Sequence, residues 1–171
     1  MEPLSYEGFK ALALSSKRAF HLEQRDSYNV AAEDEPFGRW LRGQPDDYAW
    51  HQDWLHFLRE ATAAGIAVQR VRLASVPHTD YIRWGLDVSP LNIEAGEDIR
   101  YLPRDQAKDL GLPVYDFWLM DSARVGILRF SDDDALLGAE IHDDPVLVVK
   151  HCYYRDVAWH HAIPYAEYAG S

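Results

Sequence analysis

Residues 50–76 read WHQDWLHFLREATAAGIAVQRVRLASV, and this stretch decides the fold class. Apolar residues recur at positions 50, 54, 57, 58 and 61, the spacing of one buried helix face, so a helix is predicted over residues 50–64. Gly65 supplies a helix stop, and residues 66–76 alternate as a strand. Because another strand precedes this helix, the order predicts a right-handed βαβ unit.

The preceding strand is residues 19–28, which are apolar at first and polar toward the end. Helical spacing over residues 6–17 comes before it. Residues 29–49 contain two prolines and several acidic residues, which is typical of a long loop, here around a short helix at residues 37–41. Pro77 and Pro90 bracket a segment at residues 81–88 that is predicted to be a short helix or irregular.

Four further strands are predicted in the second half of the chain. Asp144 followed by Pro145 is a good helix start, and that helix is expected to run to about residue 162, before Pro164. Short turns separate the last three strands, which favours an antiparallel meander. The predicted fold is α/β: one domain over residues 1–171 with a central mixed sheet, flanking helices, a C-terminal meander and a long helix. The strands are predicted at residues 98–102, 117–120, 124–130 and 136–142.

Composition narrows the range of functions. The chain has 171 residues, with 28 acidic against 17 basic residues and a formal net charge of −11. Such a surface repels phosphate, so direct binding of nucleic acid or of an anionic membrane is disfavoured. No apolar run approaches the ~18 residues that span a bilayer, no basic region opens the chain, and Cys152 has no second cysteine to pair with. A cytoplasmic location is therefore expected.

Charged residues inside two predicted strands are the first candidates for a site. Alternation places His21, Glu23 and Arg25 on one face of the first strand, and Arg70 and Arg72 on one face of the second. An edge strand, or an internal ion pair of Glu23 with Arg25 or Arg72, explains the first set. A structural network in which Glu23 and Asp26 pair with Arg70 and Arg72 explains the second. The alternative is the polar floor of a site near the carboxyl ends of the strands, with the paired arginines binding an anion.

Two further clusters carry residues suited to chemistry. The loop after the second strand holds His78 and Asp80, which are suited to a general base and the carboxylate that orients it. Asp116 and Trp118 share a strand face, where they could hold a ligand by a hydrogen bond and stacking. The high aromatic content, with six Trp and ten Tyr, fits either an aromatic core or an aromatic-lined pocket.

No cofactor is predicted. The sequence lacks the H-E-x-x-H and C-x-x-C motifs of metal sites, the glycine-rich motifs of phosphate and dinucleotide binding, and the G-x-S-x-G of a nucleophile elbow. The expected cofactor and metal content is therefore none.

Four motifs together resemble an actinobacterial family of unknown function over nearly the whole chain. Members of that family are often encoded beside helix-turn-helix regulators in developmental or specialised-metabolite neighbourhoods, so the resemblance implies a regulatory or biosynthetic context. The motifs are His21-Leu22-Glu23-x-Arg25-Asp26-x-Tyr28, Asp80-Tyr81-Ile82-Arg83-Trp84, Gly96-Glu97-x-x-Arg100-x-Leu102-Pro103-Arg104 and Asp116-Phe117-Trp118-Leu119-x-Asp121.

The C-terminal half also looks distantly like half of a phospholipase-D-type domain. The H-x-K-x-x-x-x-D motif of those enzymes is missing, because no lysine has a histidine two residues before it. The resemblance therefore implies a fold and not phosphodiesterase chemistry.

Two hypotheses follow. One is an accessory protein that binds a small metabolite or a regulator; the other is a cofactor-free enzyme doing acid–base chemistry (hydrolytic ring opening, cyclisation or isomerisation) on an aromatic carboxylate or keto acid. The expected partners are a small aromatic or anionic metabolite and a helix-turn-helix regulator, with a homodimer left open. The candidate catalytic residues are Glu23, Asp26, His78, Asp80 and Asp116. The candidate ligand-binding residues are Arg25, Tyr28, Arg70, Arg72, Tyr81, Arg83 and Trp118.

Overall fold

A seven-stranded mixed sheet organises the structure, a computed structural model that describes residues 4–171. The strands are β1 (Arg18–Glu23), β2 (Ala67–Ala74), β3 (Asp98–Pro103), β4 (Phe117–Met120), β5 (Arg124–Phe130), β6 (Leu136–His142) and β7 (Ile163–Pro164). Their spatial order is β6-β5-β4-β1-β2-β3-β7. Strands β1, β2 and β3 are parallel, whereas β4, β5 and β6 form an antiparallel meander. The predicted α/β class and the meander are confirmed.

Within the described part of the chain, seven helices accompany the sheet: α1 (Tyr6–Leu14), α2 (Asp34–Leu41), α3 (Gln52–Ala63), α4 (Asp80–Glu94), α5 (Arg104–Ala107), α6 (Pro145–His161) and α7 (Tyr165–Tyr168). Single 3₁₀ turns lie at Ala31–Glu33 and Ala49–His51. Among the described residues, no helix is both long and apolar enough to cross a membrane. The short elements α5, α7 and β7 were not predicted, because two to four residues carry no periodicity.

The predicted ends of two helices are confirmed in atomic detail. At the end of α3, Gly65 has a φ of +76°, Gly65 N donates to Thr62 O at 3.0 Å and Ile66 N donates to Ala61 O at 2.9 Å. This pair of bonds satisfies carbonyls that the helix leaves free. At the start of α6, the Asp144 side chain accepts from Leu147 N at 2.9 Å.

Two apolar layers hold the sheet between helices. On one face, α6 and α5 cover Phe20 and Leu22 of β1 together with Phe117 of β4. On the other face, α1 and α3 cover Ala19 of β1 and Val68 of β2. Helix α4 lies on this second face too, where Ile82 packs against side chains of β2 and β3.

The predicted boundary at Pro90 is wrong, because α4 continues through it to Glu94. Proline has no N–H, so the Leu86 carbonyl four residues earlier loses its helical donor. The Tyr165 hydroxyl supplies a replacement, donating to Leu86 O at 2.9 Å. A tyrosine from the C-terminal segment thus makes the interior proline tolerable.

Strand β1 is shorter than predicted and is not an edge strand, since it pairs with β2 on one side and β4 on the other. The predicted strand 19–28 ends at Glu23. There the backbone leaves the sheet because Gln24 N donates to a carboxylate oxygen of Asp116, at 2.9 Å, instead of to a strand neighbour.

Candidate functional site

A cavity of about 670 Å³ lies on the sheet face that carries α1, α3 and α4, toward the carboxyl ends of the parallel strands. Ligands of open α/β sheets commonly bind at this end of the strands. The walls come from β1–β4, from α3 and α4, and from the segment around Tyr28–Glu33 that follows β1.

The floor of the cavity is polar because the sheet face changes character along the strands. On β1 the inward side chains run from Ala19 to His21 and Glu23, and on β2 the same face carries Arg70 and Arg72. The strands are in register, with His21 opposite Arg70 and Glu23 opposite Arg72. Alternation therefore gathers these four polar side chains on one patch, as the strand pattern predicted.

Arg70 is bound within a closed network. It donates from Nη1 to Glu23 Oε1 at 2.6 Å and from Nε to Glu97 Oε1 at 2.8 Å. Glu97 Oε2 accepts from Asn92 Nδ2 at 2.8 Å, and the side-chain oxygen of Asn92, Oδ1, lies 2.6 Å from His51 Nε2. Burial alone would raise the pKa of Glu23, but the guanidiniums of Arg70 and Arg72 outweigh it and hold that pKa at about 2.

Arg72 has few polar partners among the described residues. Its Nε lies 3.4 Å from Glu23 Oε2, and only 10% of its side-chain surface is exposed. The guanidinium carbon lies 5.8 Å from the Tyr28 ring centre and 5.4 Å from that of Tyr81. A methyl group at Gly85 would lie 2.8 Å from Arg72 Nη1, so glycine at this point of α4 makes room for the guanidinium.

His21 is a buried imidazole without hydrogen bonds to the described residues. Its ring stacks on Trp118 at 4.2 Å between centres, and Nδ1 lies 3.6 Å from Glu23 Oε1. Burial lowers the pKa of His21 to about 3, so the ring is neutral at physiological pH. A neutral imidazole offers one donor and one acceptor.

Two tyrosine–carboxylate pairs flank Arg72. Tyr28 donates to Asp116 Oδ2 and Tyr81 donates to Glu33 Oε2, each at 2.5 Å. Burial raises the pKa of Asp116 to about 6 and also raises that of Glu33. Neither carboxylate forms an ion pair with a side chain of residues 4–171.

Aromatic rings form much of the remaining wall. Trp50 and Trp84 lie 5.2 Å apart, and Phe9 lies 4.6 Å from Trp118. Trp54 contributes a buried indole N–H that has no acceptor among the described residues. The aromatic-lined pocket and the aromatic core, which were alternatives in the sequence, occur together.

The structure brings seven of the twelve candidate residues to this cavity and places five outside it. Those at the cavity are Glu23, Tyr28, Arg70, Arg72, Tyr81, Asp116 and Trp118. Those outside are Arg25, Asp26, His78, Asp80 and Arg83.

The five outside residues have structural partners. Arg25 binds Asp134 and not Glu23. Asp26 accepts from Ser75 N at 2.8 Å and from Ser75 Oγ at 2.6 Å, so it supplies no charge to Arg70 or Arg72.

The expected catalytic pairing of His78 with Asp80 does not form. His78 Nδ1 lies 2.8 Å from Ser75 O and its Nε2 lies 3.1 Å from the Tyr168 hydroxyl. Asp80 instead pairs with Arg83 on the exposed first turn of α4.

Several cavity residues were missed as candidates. His21 was within reach, because alternation places it beside Glu23. Trp84 follows Tyr81 at helical spacing within the segment 81–88, which was predicted only as a short helix or irregular. Asn92 lies beyond Pro90, where the helix was expected to have ended. Glu33 lies in a loop, where no periodic signal marks a residue. The residues between 4 and 171 contain no group of three His, Cys, Asp or Glu side chains arranged to hold a metal ion.

Comparison with known proteins identifies the family of this chain. A search of curated proteins gives no match. The family model described as a domain of unknown function (DUF6879) matches residues 7–170, which include every strand and helix described above apart from Tyr6, the first residue of α1. The chain therefore belongs to the DUF6879 family, whose function is unknown.

Proposed function

We propose that the protein is an accessory protein that binds a small aromatic molecule carrying an anionic group, with the anion on Arg72. The observation that carries this proposal is a buried arginine at the cavity whose guanidinium makes no hydrogen bond to residues 4–171, its one ion pair there joining Nε to Glu23 Oε2 at 3.4 Å. Arginine binds carboxylates in a fixed, bidentate geometry, and a charge withdrawn from water needs a partner.

The cavity walls favour a ring as the rest of the ligand. Trp50, Trp84 and Trp118 present large apolar surfaces, and stacking adds to the burial of apolar area. A cavity of about 670 Å³ lies in the range that small-molecule sites occupy.

The unpaired polar atoms add a further requirement. His21, Glu23 and Trp54 each keep at least one buried nitrogen or oxygen atom without a hydrogen-bond partner among the described residues. Leaving such a group unsatisfied costs about 1–3 kcal/mol, so a ligand with its own donors and acceptors would recover stability on binding.

A thermal-shift titration with 3-phenylpropionate, indole-3-propionate and phenylpyruvate tests the proposal, with 3-phenylpropanol as the ligand that lacks the anion. We expect the acids, and not the alcohol, to raise the melting temperature. Arg72→Gln should weaken binding of the acids about 10- to 100-fold, from the loss of charged hydrogen bonds.

Arg59→Gln, a change at an exposed arginine of α3, is the matched control and should bind as the wild type does. Equal shifts with the acids and the alcohol, or full binding by Arg72→Gln, would reject the anion site.

The biological context of the proposal rests on the family resemblance. An actinobacterial protein encoded beside helix-turn-helix regulators would report its ligand to such a regulator, in the cytoplasm. Exposed apolar side chains at Val146, Val149 and Tyr153 share one face of α6 and offer a surface for that partner. Val149→Asp should abolish binding of the purified neighbouring regulator, as measured by calorimetry, while ligand binding persists.

An enzyme is the second candidate, favoured by Asp116, whose pKa burial raises to about 6. In this version Asp116, and not His78, is the base that moves a proton on an aromatic keto acid, because a general base works best when its pKa lies near the operating pH. The assay is exchange of the C3 protons of phenylpyruvate in deuterated water, followed by NMR. Exchange that Asp116→Asn lowers at least about 100-fold would support an enzyme, and exchange at the buffer rate would reject it.

A further inference from the structure

The charges around the cavity do not balance for a ligand that is only an anion. Among residues 4–171, five carboxylates line the cavity, against the two guanidiniums of Arg70 and Arg72. Arg70 is already occupied by Glu23 and by Glu97 behind it. Asp134 is paired with Arg25, which lies outside the cavity. Arg72 is therefore the one available guanidinium for Glu33, Asp53 and Asp116. The five carboxylates are Glu23, Glu33, Asp53, Asp116 and Asp134.

Two of these carboxylates, Asp116 and Glu33, have hydrogen bonds but no cation. Asp116 accepts from Tyr28 OH and from Gln24 N, and Glu33 accepts from Tyr81 OH. A neutral donor offsets only part of the cost of burying a carboxylate, and a cation offsets more. The raised pKa values of both groups agree with that unmet need.

Both carboxylates lie near the anion site, because the same tyrosines contact Arg72. The rings of Tyr28 and Tyr81 lie next to each other, 6.2 Å apart between centres, and both face the guanidinium, while their hydroxyls hold Asp116 and Glu33. The cavity therefore presents a buried cation beside two adjacent tyrosines, each of which leads to a carboxylate.

We propose that the ligand is an aromatic zwitterion, an amino acid with an aromatic side chain, whose carboxylate binds Arg72 and whose ammonium group binds between Glu33 and Asp116. The ring then packs on the tryptophans of the wall. This proposal rests on the proposed function, since it uses the same cavity and the same anion site. The ammonium group supplies a cationic partner for Glu33 and Asp116, and the aromatic faces nearby also favour a cation.

Three indole compounds isolate the contribution of each charge. L-tryptophan carries both groups, indole-3-propionate lacks the ammonium, and tryptamine lacks the carboxylate. Isothermal titration calorimetry at pH 7 should show that L-tryptophan binds at least about tenfold more tightly than either of the others. Asp116→Asn and Glu33→Gln should reduce this advantage over indole-3-propionate, and each should leave indole-3-propionate binding intact or stronger.

Glu60→Gln, at an exposed position of α3, is the control for an acidic residue lost from the surface. Near-ultraviolet circular dichroism confirms that each variant is folded. Should one variant fail to fold, the other still reports on the ammonium site. Proton release supplies a second measurement: at pH 6 an ammonium beside Asp116 should displace a proton, whereas indole-3-propionate should take one up. Calorimetry in two buffers of different ionisation enthalpy measures both signs.

The outcomes separate the two proposals. Binding of indole-3-propionate that equals or exceeds that of L-tryptophan would overturn the zwitterion and leave the anion site standing. An advantage of L-tryptophan that survives in both carboxylate variants would overturn it too. Absence of binding by all three compounds would overturn both proposals.

Discussion

Gly85→Ala should separate ligand binding from stability. Gly85 lies in the middle of α4 with ordinary helical backbone, and alanine there should favour the helix by about 0.5–1 kcal/mol. The added methyl carbon, however, would lie 2.8 Å from Arg72 Nη1. Contacts between a carbon and a nitrogen that are not bonded to each other are longer than this, so the guanidinium has to move away from its place beside Tyr28 and Tyr81.

The expected change in stability is smaller than the expected change in ligand affinity. The guanidinium is the far end of a flexible side chain, so its displacement should cost little stability and should at most cancel the gain in helix propensity. The loss of a well-placed charged hydrogen bond to a ligand is worth about 1.5–3 kcal/mol, or roughly 10- to 100-fold in affinity. We therefore expect a free energy of unfolding within about 1 kcal/mol of the wild type and markedly weaker binding of indole-3-propionate.

Urea unfolding and calorimetry measure the two quantities. Gly38→Ala is the matched control, since that helical glycine also faces an arginine, with Arg42 Nη1 at 3.3 Å from the added carbon, but lies outside the cavity. Wild-type affinity in Gly85→Ala would refute the assignment of Arg72 as the anion site. A loss of several kcal/mol in the free energy of unfolding would refute the claim that the guanidinium can move aside at little cost.

Three further predictions concern buried ionisable groups. Glu97→Gln should lower the free energy of unfolding by about 3–5 kcal/mol, because it leaves Arg70 with one carboxylate in a buried network; urea unfolding with Glu60→Gln as the reference measures this. The pKa of Asp116 is higher in the folded protein than in the unfolded chain. The stability that Asp116 contributes is therefore fully present at low pH and is lost as pH rises through about 6. The free energy of unfolding of Asp116→Asn, taken relative to that of the wild type, should therefore be higher at pH 8 than at pH 4. The same difference at both pH values would contradict the pKa shift. His21→Leu removes two unsatisfied nitrogens, so it should keep or raise the melting temperature while weakening ligand binding, and a large drop in melting temperature would show that His21 has a structural partner.

Local signals in the sequence predicted the fold well. The strands at residues 117–120, 124–130 and 136–142 were predicted to the residue, because turns and alternation mark them. The Asp144–Pro145 helix start and the Gly65 stop follow from chemistry that acts within a few residues. The failures are long-range: the Tyr165 hydroxyl that rescues Pro90 and the Asp116 carboxylate that ends β1 come from distant parts of the chain.

The site was predicted where it depends on strand alternation, and missed where it depends on loops. Glu23, Arg70 and Arg72 lie together because adjacent strands align their faces, which the pattern already indicates. The loop after β2 has the right residue types for chemistry, but its histidine is held by Ser75 and Tyr168, partners that sequence spacing does not reveal. Glu33 is held at the cavity by its hydrogen bond to Tyr81, a residue 48 positions later in the chain.

The bond between Tyr165 and the Leu86 carbonyl has a consequence for the order in which the protein is made. Helix α4 forms one wall of the cavity, yet the acceptor that Pro90 leaves open is filled by a residue 79 positions later in the chain. A ribosome that has released α4 has therefore not yet made the side chain that completes it. The cavity wall reaches its final hydrogen bonding only after the C-terminal segment emerges, so a nascent chain halted before Tyr165 should expose an incomplete site that cannot yet engage its ligand as the finished protein does.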